Sequence, residues 1–309
     1  MSGSRSSFDV VVVGNAGVDT NVYLPGDRID WTREANFTDN QDYVGQAGGY
    51  AARGYAQLGC RTAFVGSLGA DSAGDLVRAE LRGDGVDLGG VFLDPAGTAR
   101  SVNLMYAGSG GGARGAGQRK NFYDGRGHMG LRAPEQVCRE LLRGTRLVHV
   151  NIPNWAREVL PIAREAGAAI ACDLQDVTSA DDPYRLDFVD GADIVFFSAA
   201  NSVDPWAIAR AYLERNPLLL IVIGLGAQGC AVARSGAFAT HAAPALDWPV
   251  VDTNGAGDSL AVGFLTAYVL EGRPIDDAVG RGQLAARWCC TQRASTSSLV
   301  TREQLAAWG

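Results

Sequence analysis

Lysine is almost absent from this sequence of 309 residues, because Lys120 is the only one. A phosphate-binding loop of the Walker type places a lysine directly after a glycine and before serine or threonine. Lys120 stands between an arginine and an asparagine, so the chain cannot be a P-loop kinase. Genome base composition is one explanation for the shortage of lysine, and a role for Lys120 in a site is the other.

Metal-binding and disulfide patterns are also missing. The six cysteines are scattered without a Cys-x-x-Cys pair, and the three histidines lack the spacing of zinc ligands. We therefore expect reduced, mostly buried thiols. The longest apolar run covers only Leu218 to Ile223, and the polar start of the chain has no signal-peptide core. These absences predict a cytoplasmic protein with no membrane partner.

The charge balance excludes a further class of function. Lysine and arginine total 27 against 34 aspartates and glutamates, which gives a formal net charge of −7. A protein that binds nucleic acid along its whole surface needs clustered positive charge, so we expect no nucleic acid partner. Hydrophobic residues make up 47% of the chain, which is enough for a packed core and argues against disorder.

Short apolar runs typical of buried strands alternate with helical patterns along most of the chain. This alternation predicts an α/β fold with a largely parallel sheet covered by helices on both faces. The predicted strands are Asp9 to Val13, Thr62 to Val65, Leu147 to Val150, Ala168 to Cys172, Ile194 to Phe197 and Leu218 to Ile223. The predicted helices include Gln46 to Leu58, Ala73 to Leu81, Trp155 to Ala166 and Pro205 to Arg215.

Two segments interrupt the alternation. Residues 19–44 are polar with interspersed aromatics, and residues 98–122 contain an alternating strand, Ser101 to Tyr106, and a glycine-rich stretch. We expect both segments to form a small β-sheet lid on a single domain that spans residues 1–309. The stretch from Gly108 to Gly117 lacks the preceding strand and following helix of a phosphate loop, so we interpret it as a flexible hairpin tip.

The strongest functional motif is Asp-Thr-Asn-Gly-Ala-Gly-Asp-Ser, from Asp252 to Ser259. It precedes an amphipathic helix predicted over Leu260 to Leu270. Small residues let the backbone approach an anion, and the free N–H groups of a first helical turn stabilise negative charge. Asp258 would stand at this anion site, where a carboxylate can accept the proton of a hydroxyl that attacks phosphorus. The alternative is that Asp258 only caps the helix.

On these residues the sequence resembles the ribokinase-like (pfkB) family of carbohydrate kinases, whose second signature matches Asp252 to Asp258 without a gap. The resemblance implies a three-layer ribokinase-like fold, with a mainly parallel central sheet flanked by helices and a small β-sheet lid. It also implies that Asp258 is the catalytic base and that the backbone of Gly255, Ala256 and Gly257 forms the anion hole.

The first signature of the family is present in altered form from Gly45 to Gly59, and a further run matches from Gly66 to Gly74. Gln46 replaces a usual glycine, and Tyr50 replaces a usual asparagine. Gly14 to Asp19 resembles the family opening, although an exposed aspartate that starts a turn is the alternative. The substrate-binding residues that the resemblance implies are Asn15, Asp19, Gly45, Gly48, Gly49 and Tyr50.

The nucleotide side is less regular. The glycines at 224–229 follow an apolar strand, but Cys230 continues as strand, which fits a loop before a β-hairpin and disfavours a dinucleotide oxidoreductase. The family pattern N-x-x-E is lost, because residues 198–201 read Ser-Ala-Ala-Asn. The nucleotide-binding residues that the resemblance implies are Ser198, Asn201, Gly224, Gly226, Gly229 and Asn254.

The function implied by the resemblance is ATP-dependent phosphorylation of a primary hydroxyl on a sugar or nucleoside, with Mg²⁺ as the second cofactor. The lost N-x-x-E pattern leaves an alternative, a sugar- or nucleotide-binding protein with impaired catalysis. Lys120 would lie at the acceptor site, where Tyr50, Phe122 and Tyr123 would stack on a nucleobase, unless they are ordinary core or lid residues. A homodimer through the lid is a further expectation.

Overall fold

The structure is a computed structural model that describes residues 8–26, 29–106, 119–124, 128–199, 202, 204–293 and 295–308. The strands of its main sheet are β1 (Val10–Val13), β4 (Thr62–Leu68), β5 (Asp87–Leu93), β8 (Leu147–Val150), β9 (Ala169–Asp176), β10 (Ile194–Ser198), β11 (Leu220–Gly224), β12 (Cys230–Arg234) and β13 (Ala237–His241). They follow the order β13-β12-β11-β10-β9-β8-β1-β4-β5. Neighbours are parallel except in the antiparallel pairs β11–β12 and β12–β13.

Helices cover both faces of this sheet. They are α1 (Gln46–Gln57), α2 (Ser72–Gly83), α3 (Glu135–Leu142), α4 (Val159–Glu165), α5 (Pro183–Gly191), α6 (Pro205–Arg215), α7 (Ala256–Leu265), α8 (Ile275–Cys289) and α9 (Arg302–Trp308). Val10 and Val12 of β1 belong to one apolar core with α1, α2, α7 and α8, whereas Val11 and Val13 belong to the other with α3 to α6. Since successive side chains of a strand point to opposite faces, β1 lies between two packed layers of helices. The predicted three-layer fold is confirmed.

A second, small sheet forms from the two segments that interrupt the alternation. Its strands are β2 (Gly17–Tyr23), β3 (Asp39–Gly45), β6 (Ala99–Met105) and β7 (Arg119–Asp124), in the order β3-β2-β6-β7. β2 and β6 pair in parallel, and the two outer pairs are antiparallel. The predicted hairpin tip from Gly108 to Gly117 lies outside the described residues.

The helix after the glycine-rich motif differs from its prediction. We expected an amphipathic helix over Leu260 to Leu270, but α7 spans Ala256–Leu265 and a π-helical turn follows over Thr266–Leu270. Every residue from Ser259 to Leu265 is buried. The helix packs against α1, α8 and the main sheet, so it has no polar face to solvent. The helix that follows the glycine-rich motif is therefore anchored in the core.

The predicted boundaries of one other helix and of one strand were wrong. The helix predicted over Trp155 to Ala166 begins with a 3-10 turn over Asn154–Glu158 before α4 starts. Pro161 explains the break, because proline has no N–H and is tolerated only in the first turn of an α-helix. β11 starts at Leu220 and excludes Leu218, whose side chain is 93% exposed. No helix of the described ranges combines the length and the apolar character needed to cross a membrane.

Candidate active site

Carboxylates from three separate segments lie near enough for their charges to interact at Asp258. Asp258 lies in the first turn of α7, Asp173 on β9 and Asp19 on β2 of the small sheet. The negative charges of Asp173 and Asp19 both act on Asp258 and raise its pKa. The fold thus brings the predicted base and the predicted sugar-binding aspartate together, and adds a third carboxylate.

Asp258 has the properties of a proton acceptor. Burial and the charge of Asp173 raise the pKa of Asp258 to about 8, and the positive charge of Arg119 opposes this shift. Oδ1 of Asp258 accepts no hydrogen bond from the described residues. The cap position of α7 is occupied by Gly255, so the structure disfavours the interpretation of Asp258 as a helix cap. A carboxylate with a raised pKa and an unused oxygen is suited to proton transfer.

The glycine-rich turn before α7 leaves an open helix N-terminus. Gly255 adopts a left-handed conformation with φ +74°, and a Cβ atom at this residue would overlap the ring of Tyr50. The N–H of Ala256 turns back to the carbonyl of Thr253 at 3.3 Å. A Cβ atom at Gly257, by contrast, would meet only open space. N–H groups of a first helical turn have no acceptor within the helix, so that of Gly257 points to open space and is a candidate donor to an anion.

Tyr50 has a different place from the one we predicted. Its side chain is buried, and its hydroxyl donates to the hydroxyl oxygen of Tyr43 at 3.1 Å. The ring lies against Gly255 and has no free face for a nucleobase. Gly49 is also buried, next to Val44. Tyr50 and Gly49 therefore support the turn and the core, and the structure corrects their assignment as substrate-binding residues.

The other predicted sugar-binding residues come together. The N–H of Gly48 donates to the carbonyl of Asn15 at 2.9 Å, and the Asn15 amide Nδ2 donates to the Tyr123 hydroxyl at 3.1 Å. Gly45 lies against the Asp19 carboxylate, because a Cβ atom there would overlap it. Burial raises the pKa of Asp19 to about 6. These residues form a polar cluster between α1, β1 and the small sheet, which we call the candidate acceptor pocket.

Asn151 is a candidate site residue that the sequence interpretation missed. It directly follows β8, it is 3% exposed, and neither its Oδ1 nor its Nδ2 has a hydrogen-bond partner among the described residues. Gly14, at the end of the neighbouring β1, lies against it. A polar residue at the carboxyl end of a parallel strand was the signal, since ligands of open α/β sheets bind at this edge.

The register of β7 corrects the assignment of Lys120. Asn121 donates to the buried Asn103 at 2.8 Å and Tyr123 contacts Asn15, so these alternate residues face the pocket. Arg119 shares their face, whereas Lys120 points to the outer, exposed face. The charge of Arg119 lowers the pKa of both Asp19 and Asp258. Arg119 makes no salt bridge with the described residues.

Asp252, the first residue of the motif, ties the small sheet to the glycine-rich turn. Its side chain is fully buried. Oδ2 accepts from Asn21 Nδ2 at 2.8 Å and from the Tyr23 hydroxyl at 3.0 Å, both on β2. Oδ1 accepts from the N–H of Asn254 at 2.8 Å. The carboxylate is thus held by two side chains of the small sheet and one backbone group of the turn.

The Asn254 side chain also belongs to this connection. Its Nδ2 lies 3.5 Å from Oδ1 of Asn21 and 3.5 Å from the sulfur of Met105, both in the small sheet. Asn21 in turn accepts from Asn103 at 3.0 Å. The side chain is 5% exposed, so the structure does not favour the nucleotide-binding role that we predicted for Asn254.

The other predicted nucleotide-binding residues lie at the end of β10 and β11. Ser198 pairs with Gly224 across these strands, and Gly226 and Gly229 form the turn that leads into the β12–β13 hairpin. The predicted hairpin after the glycines is confirmed, whereas Asn201 lies outside the described residues. In the ranges that the structure describes, no three His, Cys, Asp or Glu side chains cluster as ligands of a metal ion.

The unused carboxylate beside an open helix N-terminus can take a proton from a hydroxyl while the backbone holds a negatively charged group. Transfer of a phosphoryl group to an alcohol needs these two functions together. The site therefore defines a phosphotransferase with an alcohol acceptor.

The chain belongs to the pfkB family of carbohydrate kinases, whose family model matches residues 7–114 and 134–302. It is 32% identical over 300 residues to the acarbose 7(IV)-phosphotransferase of an Actinoplanes species, a match that covers 96% of this chain and 97% of the relative. Both findings confirm the family that the motifs indicated.

Solved structures agree with this membership. A microbiome-derived acarbose kinase, Mak1, has a TM-score of 0.88 and 31% identity, with 98% of this chain and 99% of that chain covered. A ribokinase of Arabidopsis thaliana in complex with ribose and ATP has a TM-score of 0.78 and 24% identity, with 98% of both chains covered. The second likeness shows that the ribokinase-like fold is shared.

The glycine-rich turn yields a first prediction. Gly255→Ala should lower the free energy of unfolding by more than about 2 kcal/mol, because a left-handed residue with a Cβ is strained and this Cβ overlaps Tyr50. Gly257→Ala should keep the wild-type melting temperature, since its Cβ meets open space, yet lower phosphotransfer by crowding the anion site. Thermal unfolding and phosphotransfer assays measure both. A stable Gly255→Ala variant, or a destabilised Gly257→Ala variant, would contradict this geometry.

Proposed function

We propose that this protein transfers the γ-phosphoryl group of ATP to a primary hydroxyl of a carbohydrate, with Asp258 as the catalytic base. The observation that carries the proposal is the unpartnered Oδ1 of Asp258 beside the open N-terminus of α7. In this role Oδ1 accepts the proton of the acceptor hydroxyl, and the oxygen of that hydroxyl attacks phosphorus. The N–H groups of the turn from Gly255 to Asp258 hold the transferring group, and Gly257 is the residue of this turn that faces open space.

A sugar acceptor fits the pocket better than a nucleoside. The pocket offers Asn15, Asp19 and Asn151, whose oxygen and nitrogen atoms suit hydroxyl groups. Tyr50, which would have stacked on a base, is buried against the glycine-rich turn. Two relatives at 31% and 32% identity are named for their action on acarbose, so we propose acarbose as the first acceptor to test.

The small sheet serves as the lid in this proposal, on a single domain of residues 1–309. Asp19 and Tyr123 of the small sheet face the pocket, and Asn15 of the main body bonds to Tyr123. A sheet that covers the pocket limits the access of water, and thereby the wasteful hydrolysis of ATP.

Mg²⁺ fits this site as an ion that binds in complex with ATP. Magnesium in kinases is bound through one or two carboxylates together with phosphate oxygens and water. Asp173 would hold the ion, because its carboxylate lies close enough to Asp258 for its charge to act there, and a bound cation would favour the ionised form of Asp173 against the desolvation that raises its pKa. When bound, the ion would offset the negative charge of the phosphates.

Two expectations about the setting of the protein are kept as proposals. The outer face of the small sheet leaves Val102 (40%) and Phe122 (55%) exposed, which supports a homodimer through this sheet. Light scattering in solution would measure the mass of the particle.

All six cysteines are free and buried, which supports a reducing, cytoplasmic compartment.

A phosphotransfer screen with ATP, Mg²⁺ and a panel of sugars and nucleosides that includes acarbose tests the proposed function. Asp258→Asn should lower kcat by about 10²- to 10⁴-fold while ATP binding, measured by calorimetry, stays close to that of the wild type. Asp276→Asn is the matched control, because Asp276 is exposed in the first turn of α8.

An Asp258→Asn variant as fast as the wild type would refute the base mechanism. If no acceptor raises ATP consumption although sugar and nucleotide bind, that result would support the alternative of a binding protein on a kinase scaffold.

Arg119 provides a second test, since we propose that its guanidinium contacts the transferring phosphoryl group. Met105, opposite Arg119 in the sheet, touches Asn254 at the start of the glycine-rich turn, and the charge of Arg119 acts on Asp258. Arg119→Gln should lower kcat by about 10²- to 10³-fold, the loss typical of one transition-state contact. Lys120→Gln removes the same charge from the outer face and should keep kcat within about twofold of the wild type. Equal losses in both variants would show that only the net charge of the strand matters.

A further inference from the structure

A small cavity lies at the C-terminal end of α7, whereas the candidate active site lies at its N-terminal end. The cavity encloses about 230 Å³, including the solvent at its mouth, and its polar lining residues are Thr266, Glu271, Arg281 and Arg302. Thr266 follows Asp258 by eight residues, which corresponds to about 12 Å along a helix. The cavity is therefore separate from the anion site at the first turn of α7.

The hydroxyl of Thr266 is the first sign of a ligand in this cavity. The side chain is 5% exposed, and its Oγ1 has no hydrogen-bond partner of ordinary geometry among the described residues. Threonine within a helix commonly donates to the carbonyl four residues earlier, and most buried hydroxyl groups are paired. Thr266 lies near enough to Cys60 to lower the pKa of its thiol, but a thiol is a weak hydrogen-bonding group. The hydroxyl is thus available to a ligand.

The backbone at Thr266 is also unusual. The π-helical turn over Thr266–Leu270 begins at this residue, and its carbonyl accepts from the N–H of Glu271 at 2.9 Å. Turns of this kind are rare and occur frequently at functional sites. The rare backbone and the unpaired hydroxyl therefore occur at one residue.

Two arginines bring positive charge to the same cavity. Arg281 of α8 makes no hydrogen bond or salt bridge with the described residues. Arg302 of α9 donates from Nε to the carbonyl of Leu58 at 2.9 Å, and its Nη1 lies 3.5 Å from Oε1 of Glu271. Glu271 also pairs with Arg273 at 2.7 Å, so its single charge does not neutralise both guanidinium groups of the cavity. The cavity therefore has an excess of positive charge.

We propose that this cavity is a second anion site, which binds a phosphate group between Arg281, Arg302 and the hydroxyl of Thr266. The N–H donors of the two guanidinium groups suit the adjoining oxygens of a phosphate, and Thr266 donates its O–H to a further oxygen. The side chain of Arg302 is 53% exposed, so the site is reached from solvent by a free phosphate ion or by a small phosphate monoester. The inference does not depend on the proposed function, because none of these residues takes part in the proposed phosphoryl transfer.

Calorimetry and thermal unfolding of the whole chain with inorganic phosphate test this site, with a non-hydrolysable ATP analogue present to fill the candidate active site. Sodium chloride at equal ionic strength separates specific binding from screening. Phosphate at about ten times its Kd should raise the melting temperature of the wild type by about 2–4 °C. Arg281→Gln should weaken phosphate binding by about 10- to 100-fold. Arg82→Gln is the matched control, because Arg82 is exposed in the last turn of α2, and it should keep the affinity of the wild type.

Thr266→Val separates the ligand from the fold. Valine keeps the shape of threonine and removes the unpaired hydroxyl, so without phosphate the variant should melt at the temperature of the wild type or above it. Its affinity for phosphate should fall by about 10-fold, since one hydrogen bond to the charged group is lost.

Glucose 6-phosphate distinguishes the two sources of the phosphate group. The part of its binding that Arg281→Gln removes belongs to this site. If that part is tighter than the binding of inorganic phosphate, the ligand is a phosphate monoester, and if it is weaker, the ligand is the free ion. Both results support the proposal.

Three results would overturn it. One is a wild type on which phosphate has no effect beyond that of chloride. Another is equal phosphate binding in the wild type and Arg281→Gln. The third is a Thr266→Val variant that melts at a lower temperature while its phosphate affinity is unchanged, because the hydroxyl would then serve the fold alone.

Discussion

The negative charge of Asp173 and Asp19 acting on Asp258 is the constraint on which the site depends. Burial raises the pKa of Asp19 and of Asp173, whereas burial and the charges of Asp173 and Asp19 together raise the pKa of Asp258, so hydrogen bonds and positive charge are needed to stabilise the ionised groups. Gln46 donates to Asp19, Gln175 donates to Asp173, and the charge of Arg119 acts on Asp258. Of the three, Asp258 has a buried oxygen without a partner among the described residues, which makes it the group able to accept a proton.

Asp252 connects this cluster to the small sheet. Its fully buried carboxylate takes hydrogen bonds from Asn21 and Tyr23 of β2 and from the N–H of Asn254 in the glycine-rich turn. A buried carboxylate that loses its hydrogen-bond donors lowers the stability of the fold. Contact with the small sheet therefore stabilises the geometry of the glycine-rich turn. The small sheet therefore supports the glycine-rich turn directly, in addition to the proposed role of this sheet as a cover of the acceptor pocket.

The main features of the fold and the centre of the site were predictable from the sequence, because both depend on contiguous patterns. Alternating apolar runs and helical patterns indicated the three layers, and the run from Asp252 to Asp258 brings its own turn, helix N-terminus and carboxylate. Residues on strands were harder to assign, since a shift of one position reverses the face of every side chain. Lys120 was chosen for its rarity, but Arg119 beside it faces the pocket. Asp173 was missed because its strand was predicted to end at Cys172, but the strand continues to Asp176. Tyr50 was assigned to the site because a tyrosine can form polar contacts with a ligand, but its side chain is large and apolar enough to be buried in the core.

The central claim is that Asp258 acts as a base whose pKa is raised by burial and by Asp173. The dependence of kcat/KM on pH tests it most directly, since this quantity reports the ionisation of the free enzyme. A base works in its deprotonated form, so kcat/KM of the wild type should rise with pH and reach half of its maximum near the pKa of about 8. Asp173→Asn removes the repelling charge and should move this limb to lower pH. A profile that stays flat between about pH 6 and 9, or an identical limb in the variant, would contradict the account.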